Sequence, residues 1–292
     1  MSSDDTDSDI FTDGKGAAHS KDVDRSIDHS NGATHILYIQ MSLYPMTLAQ
    51  YLSPSLSAGS AKLRHCYHIL PTLRLLLAIL TGLQYIHANH LIHRDIKPGN
   101  IFLSDPKMIS GNGYCDVRCH SCVRSSDETL NRWLNPRIGD FGLVTQLAKE
   151  GLMDESISHK AGSDSHKPVG TAYYRPPEWR SVDGSAGSSG KTISPIDEKI
   201  DIFALGVVFV EMLWPCGTAM ERVDMLKGLQ RGSLPSGLGP KLEAEGFHAP
   251  VVDEVLTLAG AMVNPNPFER WDGGRVRMTI EGLLRRISHV PE

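Results

Sequence analysis

Between the apolar residues Ile92 and Leu103 lies the run His93-Arg94-Asp95-Ile96-Lys97-Pro98-Gly99-Asn100, whose polar centre suits neither a helix nor a strand. Polar side chains held on a loop between apolar anchors suggest a site. The loop offers an acid, an amine and an amide, and a second acid, Asp140, follows downstream in Asp140-Phe141-Gly142. Such groups can accept a proton, set a cation against an anion and offer oxygen ligands to a hard metal ion.

The elements that must hold this loop are mostly helical. Residues 63–89 carry apolar side chains at Ile69, Leu73, Leu76, Leu77, Leu80, Leu83 and Ile86, close to the three-to-four repeat of a helix, with Pro71 bending or delaying the first turn. Further helices are expected over 200–213, 219–230, 250–262 and 279–287. His35 to Met41 is dense in β-favouring residues and predicts a strand, closed by Pro45. Residues 1–33, acidic and Ser-rich, lack apolar periodicity and predict disorder. Residues 104–136 and 143–170 are expected as loops, and 181–191 as a flexible connector. The longest apolar runs, 73–80 and 202–214, are too short to cross a hydrocarbon core. A net charge of -5 gives no basic field for nucleic acid or an anionic membrane, and the absence of a secretory pattern points to a cytoplasmic or nuclear protein.

The loop and the downstream Asp-Phe-Gly, in this order, resemble the catalytic loop and metal-binding motif of the protein kinases. That resemblance implies an α+β fold with a mostly helical large lobe from about residue 47. Only a remnant of the β-rich small lobe would be present, within a kinase domain over 34–287. Moving a phosphoryl group requires an acceptor for the hydroxyl proton, cations against the phosphate charge and ligands for Mg²⁺. The resemblance assigns these to Asp95, to Lys97, and to Asn100 with Asp140. Gly170 to Glu178 resembles the segment closing an activation loop, here 140–178, with Pro176-Pro177-Glu178 where Ala-Pro-Glu is usual. Asp201 takes the place of the Asp that hydrogen-bonds the catalytic-loop backbone, and Arg270 that of the Arg pairing with Glu178. Lys97, with Thr171 as the neighbouring hydroxyl, implies serine/threonine specificity.

Three passages narrow the resemblance to the kinases of the translation initiation factor 2 alpha subunit: Leu37 to Leu48, Ile138 to Leu143, and Met220-Glu221-Arg222-Val223 with Leu234-Pro235. This implies a cellular stress response, with that subunit as the protein partner, ATP and Mg²⁺ as cofactors, and ATP held at the hinge by Met41, Ser42 and Tyr44. Glu221 and Arg222 would lie at the substrate-docking surface. Thr171 and Ser165 would be activation-loop phosphorylation sites read by Arg94. A Gly-rich phosphate loop, a strand Lys and its helical Glu would precede His35, where about thirty-four residues stand. Gly14-Lys15-Gly16 lacks a third Gly and flanking strands, so the expectation is that the chain begins inside an acidic insertion of the small lobe. The alternative reading is a non-catalytic, pseudokinase-like binding module.

Cys115, Cys119 and Cys122 have the three-then-two spacing of cluster-binding radical enzymes, and His120 adds a possible zinc ligand. Because they interrupt the step from the catalytic loop to Asp140, the expectation favours a plain insertion loop. His87 and His90 are expected in core or capping roles.

Overall fold

The computed structural model describes residues 40–53, 64–104, 113–119, 122, 133–146, 171–181 and 197–288. A first compact unit ends at Ser42 and a second begins at Leu43. The expected strand at 35–41 lies outside the described residues except for Gln40 and Met41, which have no regular structure. Everything below concerns the second unit.

Strand β1 (Met46–Thr47) runs directly into helix α1 (Leu48–Leu52). Thr47 Oγ1 accepts from the Gln50 amide at 3.3 Å and Gln50 Oε1 accepts from the Thr47 amide at 2.8 Å, so each satisfies a donor the helix start leaves open. Helix α2 (Ile69–Ala88) starts later than expected. Pro71 falls in its first turn, where its missing N–H costs no intrahelical bond. With 20 residues and a mean hydropathy of 1.6, α2 is long and apolar enough to cross a membrane, which corrects the expectation from run length. Its apolar residues are spaced rather than consecutive, and Leu73, Leu76, Leu80 and Leu83 are fully buried in the protein core.

Helix α3 (Lys199–Leu213) is buried on every side. Gly206 makes this possible where α3 meets α6 (Ala249–Met262), since a Cβ there would stand 2.7 Å from Met262 Cβ. Helix α4 (Ala219–Leu229) is capped by Thr218, whose hydroxyl accepts from the Glu221 amide at 3.1 Å. The short α5 (Leu238–Glu243) escaped the periodicity reading because it is under two turns long and contains Pro240. Helix α7 (Gly273–Ser288) begins six residues before the expected Thr279. Its Gly273-Gly274 start disfavours a helix by propensity, while Asp272 Oδ1 holds the Arg275 amide at 2.8 Å.

A four-stranded antiparallel sheet has the order β1-β3-β5-β4, with β3 over Ile101–Ser104, β4 over Cys115–Asp116 and β5 over Trp133–Ile138. The register pairs Ile101 with Ile138 and Leu103 with Pro136. Residues 104–136, expected as a loop, therefore contain β4 and most of β5. Asn135, Pro136 and Arg137 gave β5 a composition that hides a strand. A second pair joins β2 (Leu91–Ile92) to β6 (Thr145–Gln146).

Candidate active site

The polar run occupies the connection from β2 to β3. Its apolar anchors Ile92, Ile96 and Ile101 are buried, which holds the intervening polar residues against the core. The backbone is fixed from α3: one carboxylate oxygen of Asp201 accepts from the His93 amide at 2.8 Å and the other from the Arg94 amide at 2.7 Å. The His87 ring contacts the same carboxylate at 2.9 Å. Asp201 is fully buried, so these partners replace the water its charge has lost. Two neighbouring backbone turns are left-handed, Arg94 with φ +70° and Asp140 with φ +64°. Such angles in non-glycine residues persist where surrounding contacts impose them.

Asp95 is buried, and Lys97 Nζ donates to its Oδ2 at 2.6 Å. Asn100 Nδ2 donates to the same oxygen and to the Asp95 carbonyl, both at 2.9 Å. The amide nitrogen of Asn100 is thus committed, leaving its oxygen as the acceptor. Across the sheet, the Gly139 amide donates to the Asn100 carbonyl at 2.9 Å, so the end of β3 and the residue before Asp140 are stitched together. Gly139 is needed there, because a Cβ would lie 2.6 Å from the Phe102 ring. Asp140 is exposed and makes no hydrogen bond or ion pair among the described residues. An amide oxygen and an unpaired carboxylate at adjacent strand ends are hard oxygen donors of the kind Mg²⁺ takes.

His93 was not singled out from the sequence. Its ring contacts the Gly139 carbonyl at 3.1 Å and packs edge-on to Phe141 at 5.1 Å, and its Nδ1 lies 3.3 Å from the Asp95 amide. Burial pushes this imidazole below its ordinary value, against the opposing pull of Asp201. The only sequence signal was its place at the edge of the polar run. Tyr44, expected at the hinge, packs its ring on Phe102 at 5.6 Å, whereas Met41 and Ser42 fall in the first unit.

Arg94 lays its guanidinium 4.5 Å over the Trp179 ring, while its buried Nε has no hydrogen-bond partner among the described residues. Arg175 approaches the same ring at 5.8 Å. Thr171 opens a 3₁₀ turn over Thr171–Tyr174, and Ser165 lies outside the described residues. Glu178 receives two bonds from the buried Arg270, at 2.7 and 3.1 Å. Glu221 Oε2 accepts from the Gly217 amide at 2.8 Å, so it braces the start of α4. Arg222, an exposed residue, bonds to two buried groups: Nε meets Glu211 at 2.7 Å and Nη2 donates to the Tyr174 hydroxyl at 2.7 Å, while that hydroxyl donates to Glu211 at 2.5 Å. Burial raises the Glu211 carboxyl above its usual range, and Arg222 opposes that shift.

The chain belongs to the protein kinase family: residues 35–272 match the protein kinase domain. Within it, the sequence is similar to eukaryotic translation initiation factor 2-alpha kinase 1 of Schizosaccharomyces pombe, 34% identical over 218 residues that cover 68% of this chain and 28% of that protein. Kinase 2 of the same organism is 35% identical over 214 residues, 70% of this chain and 31% of the relative. Kinase 3 of Bos taurus is 28% identical over 258 residues, 88% and 18% respectively. The chain spans less than a third of the length of each of these relatives.

Proposed function

We propose that the protein transfers the γ-phosphoryl of ATP to a serine or threonine hydroxyl, and that its substrate is the translation initiation factor 2 alpha subunit. The observation that carries this reading is the Asp95 carboxylate held by Lys97 and Asn100, with the Asn100 carbonyl bonded to the amide of Gly139, the residue before the exposed Asp140. Asp95 keeps one carboxylate oxygen clear of those two donors, and that oxygen orients and accepts the proton of the substrate hydroxyl. Lys97 is poised to move its charge onto the transferred group. ATP with Mg²⁺ supplies the phosphoryl group and the principal positive charge. The Asn100 oxygen and the Asp140 carboxylate are the residues to hold the metal, and Tyr44 with Phe102 forms one wall for the base. The eIF2-alpha kinase names of the relatives support the choice of substrate.

Regulation follows from Arg94. A phosphate on Thr171 or Ser165 would meet a guanidinium stacked on Trp179 whose Nε has no partner among the described residues, and would order the activation segment around it. Substrate docking falls to the first turn of α4, where Met220 is 70% exposed.

The test is phosphate incorporation from radiolabelled ATP into intact alpha subunit by the full-length protein. Incorporation into serine or threonine that falls by about 10²-fold or more in Asp95→Asn is the expected result. Near-normal transfer by that variant removes Asp95 from the role, and a folded protein without transfer favours the binding-module reading.

A further inference from the structure

The cysteines that the sequence grouped together are separated in the fold. Cys115 lies in β4 and its thiol donates to the Leu134 carbonyl at 3.2 Å, so it serves the sheet. Cys119 and Cys122 instead face the N-terminal end of α2, where Cys66 and His68 stand. One ligand atom from each of Cys66, His68, Cys119 and Cys122 lies within 4.8 Å of every other. His68 Nδ1 is 3.3 Å from Cys119 Sγ and 3.3 Å from Cys122 Sγ.

We propose that Cys66, His68, Cys119 and Cys122 form a structural zinc site. A tetrahedral ion with Zn–S near 2.3 Å and Zn–N near 2.0 Å places its sulfur ligands about 3.8 Å apart and each sulfur about 3.6 Å from the nitrogen. The two His68–sulfur separations of 3.3 Å lie a few tenths of an ångström from that geometry, and every other pair of ligand atoms lies within 4.8 Å. Three soft thiolates with one imidazole select zinc over the hard cations magnesium and calcium. Four protein ligands fill the tetrahedron, so no position remains for water, and the site is structural rather than catalytic.

The backbone is shaped for this. The Cys122 amide donates to the Cys119 carbonyl at 3.2 Å, closing the tight Cys-x-x-Cys turn that brings two sulfurs to one side. On the other side of the site, Tyr67 between Cys66 and His68 adopts φ +58°, a left-handed angle that tertiary contacts must maintain. Those contacts exist: the Tyr67 hydroxyl donates to the Leu52 carbonyl, Lys241 Nζ donates to the Tyr67 carbonyl, and Glu245 Oε2 accepts from the Ile69 amide at 2.8 Å. Lys241 and Glu245 are themselves paired at 2.8 Å. Binding is balanced as exchange: three thiols release three protons to solvent as one Zn²⁺ enters, leaving a site of net charge about -1. The ion would cross-link the insertion between β3 and β5 to the start of α2, with Arg74 to Asp116 at 3.4 Å as a weaker second tie.

Metal analysis of the purified full chain, grown with zinc in the medium, tests the assignment. One zinc per chain is expected, retained in Cys115→Ser and lost in the double variant Cys119→Ser/Cys122→Ser. Replacement by Co²⁺ should give the thiolate charge-transfer band and the visible bands of a tetrahedral site. Because loss of two ligands can unfold the chain, the parent protein supplies an independent readout. Cys66, Cys119 and Cys122 should resist iodoacetamide until a strong chelator is added, while the labelling of Cys216 stays unchanged. A chain without stoichiometric zinc, equal labelling with and without chelator, a disulfide among these cysteines, or loss of zinc in Cys115→Ser would each overturn the proposal.

Discussion

Arg270 reaches back 92 positions to grip Glu178 with two parallel bonds, from Nη1 at 2.7 Å and Nη2 at 3.1 Å. Two further donors are spent inside the fold, on the carbonyls of Asn264 at 2.9 Å and Lys199 at 3.1 Å, and its Cζ lies 4.9 Å from the Phe203 ring centre. Arg270 is 1% exposed, so removing it strands a carboxylate and two carbonyls at once. Breaking a buried pair from one side costs about 3–5 kcal/mol. Arg270→Ala should therefore lose that much stability in urea unfolding, and Arg270→Lys should recover only part because one amine cannot make the two-point contact. A loss under about 1 kcal/mol for Arg270→Ala would show that the pair carries little of the fold.

Asp201 offers a sharper test of how the catalytic loop is held. In Asp201→Asn, one side-chain oxygen remains to accept, but the new amide NH₂ faces a backbone N–H. The stranded donor costs on the order of 1–3 kcal/mol. Amide hydrogen exchange at His93 and Arg94 should accelerate far more than exchange in α6. Uniform acceleration throughout the protein would mean that Asp201 acts on global stability alone.

Docking and packing can be separated at the start of α4. Met220→Asp alters an exposed side chain and should reduce phosphorylation of intact alpha subunit several-fold while leaving autophosphorylation unchanged. Arg222→Ala breaks the contacts to Glu211 and Tyr174 and should depress both activities along with the melting temperature. Equal effects of the two variants on both substrates would place docking elsewhere.

Arg222 and Tyr174 should also be energetically coupled. Comparing Arg222→Ala, Tyr174→Phe and the double variant by urea unfolding should give a coupling of roughly 0.5–3 kcal/mol, as for residues sharing one network. Additive losses would indicate that the Glu211 carboxylate binds each partner independently.

A pH dependence follows from His65. Burial lowers its imidazole from the ordinary value of 6.5 to about 4, with Nε2 at 2.7 Å from the Met212 carbonyl and 3.1 Å from the Thr72 hydroxyl. Between those two values the unfolded chain binds a proton that the folded chain refuses, so folding stability falls as pH drops from 6.5 toward 4 and then levels off. The loss amounts to roughly 3 kcal/mol at most. His65→Gln should be less sensitive over this range, and identical pH profiles for the two proteins would remove His65 as the cause.

The clustering of Asp95, Lys97 and Asn100 was legible because all three sit in one contiguous loop bracketed by apolar anchors. Helix α3 was equally plain, since its apolar residues from Ile202 to Val210 and on past Glu211 fit a helix buried on every side. What periodicity could not show was pairing at a distance. β4 and β5 are short and carry Asp, Asn, Pro and Arg, so their strand character comes from pairing, β5 with β3 and β4 with β5, and not from composition. The association of Cys119 and Cys122 with Cys66 and His68 was hidden for the same reason. Sequence spacing grouped Cys115 with its near neighbours, whereas the fold sorted it by the β4 pleat into a different environment. The bond from Arg222 depended on Glu211 in another helix, which local sequence does not announce.

The Gly139 to Asn100 hydrogen bond has a consequence for how this chain can change over time. β3 and β5 pair from Ile101–Ile138 to Ser104–Asn135, and β4, which lies between them in sequence, pairs back onto β5, so the sheet holds both ends of the stretch that joins them. Lengthening such an excursion costs only slowly increasing closure entropy, because each doubling adds about 0.6 kcal/mol. The positions of Asn100 and Asp140 are therefore insulated from whatever the intervening residues acquire. A lineage can graft, shorten or exchange material there and leave the constellation around Asp95 in place.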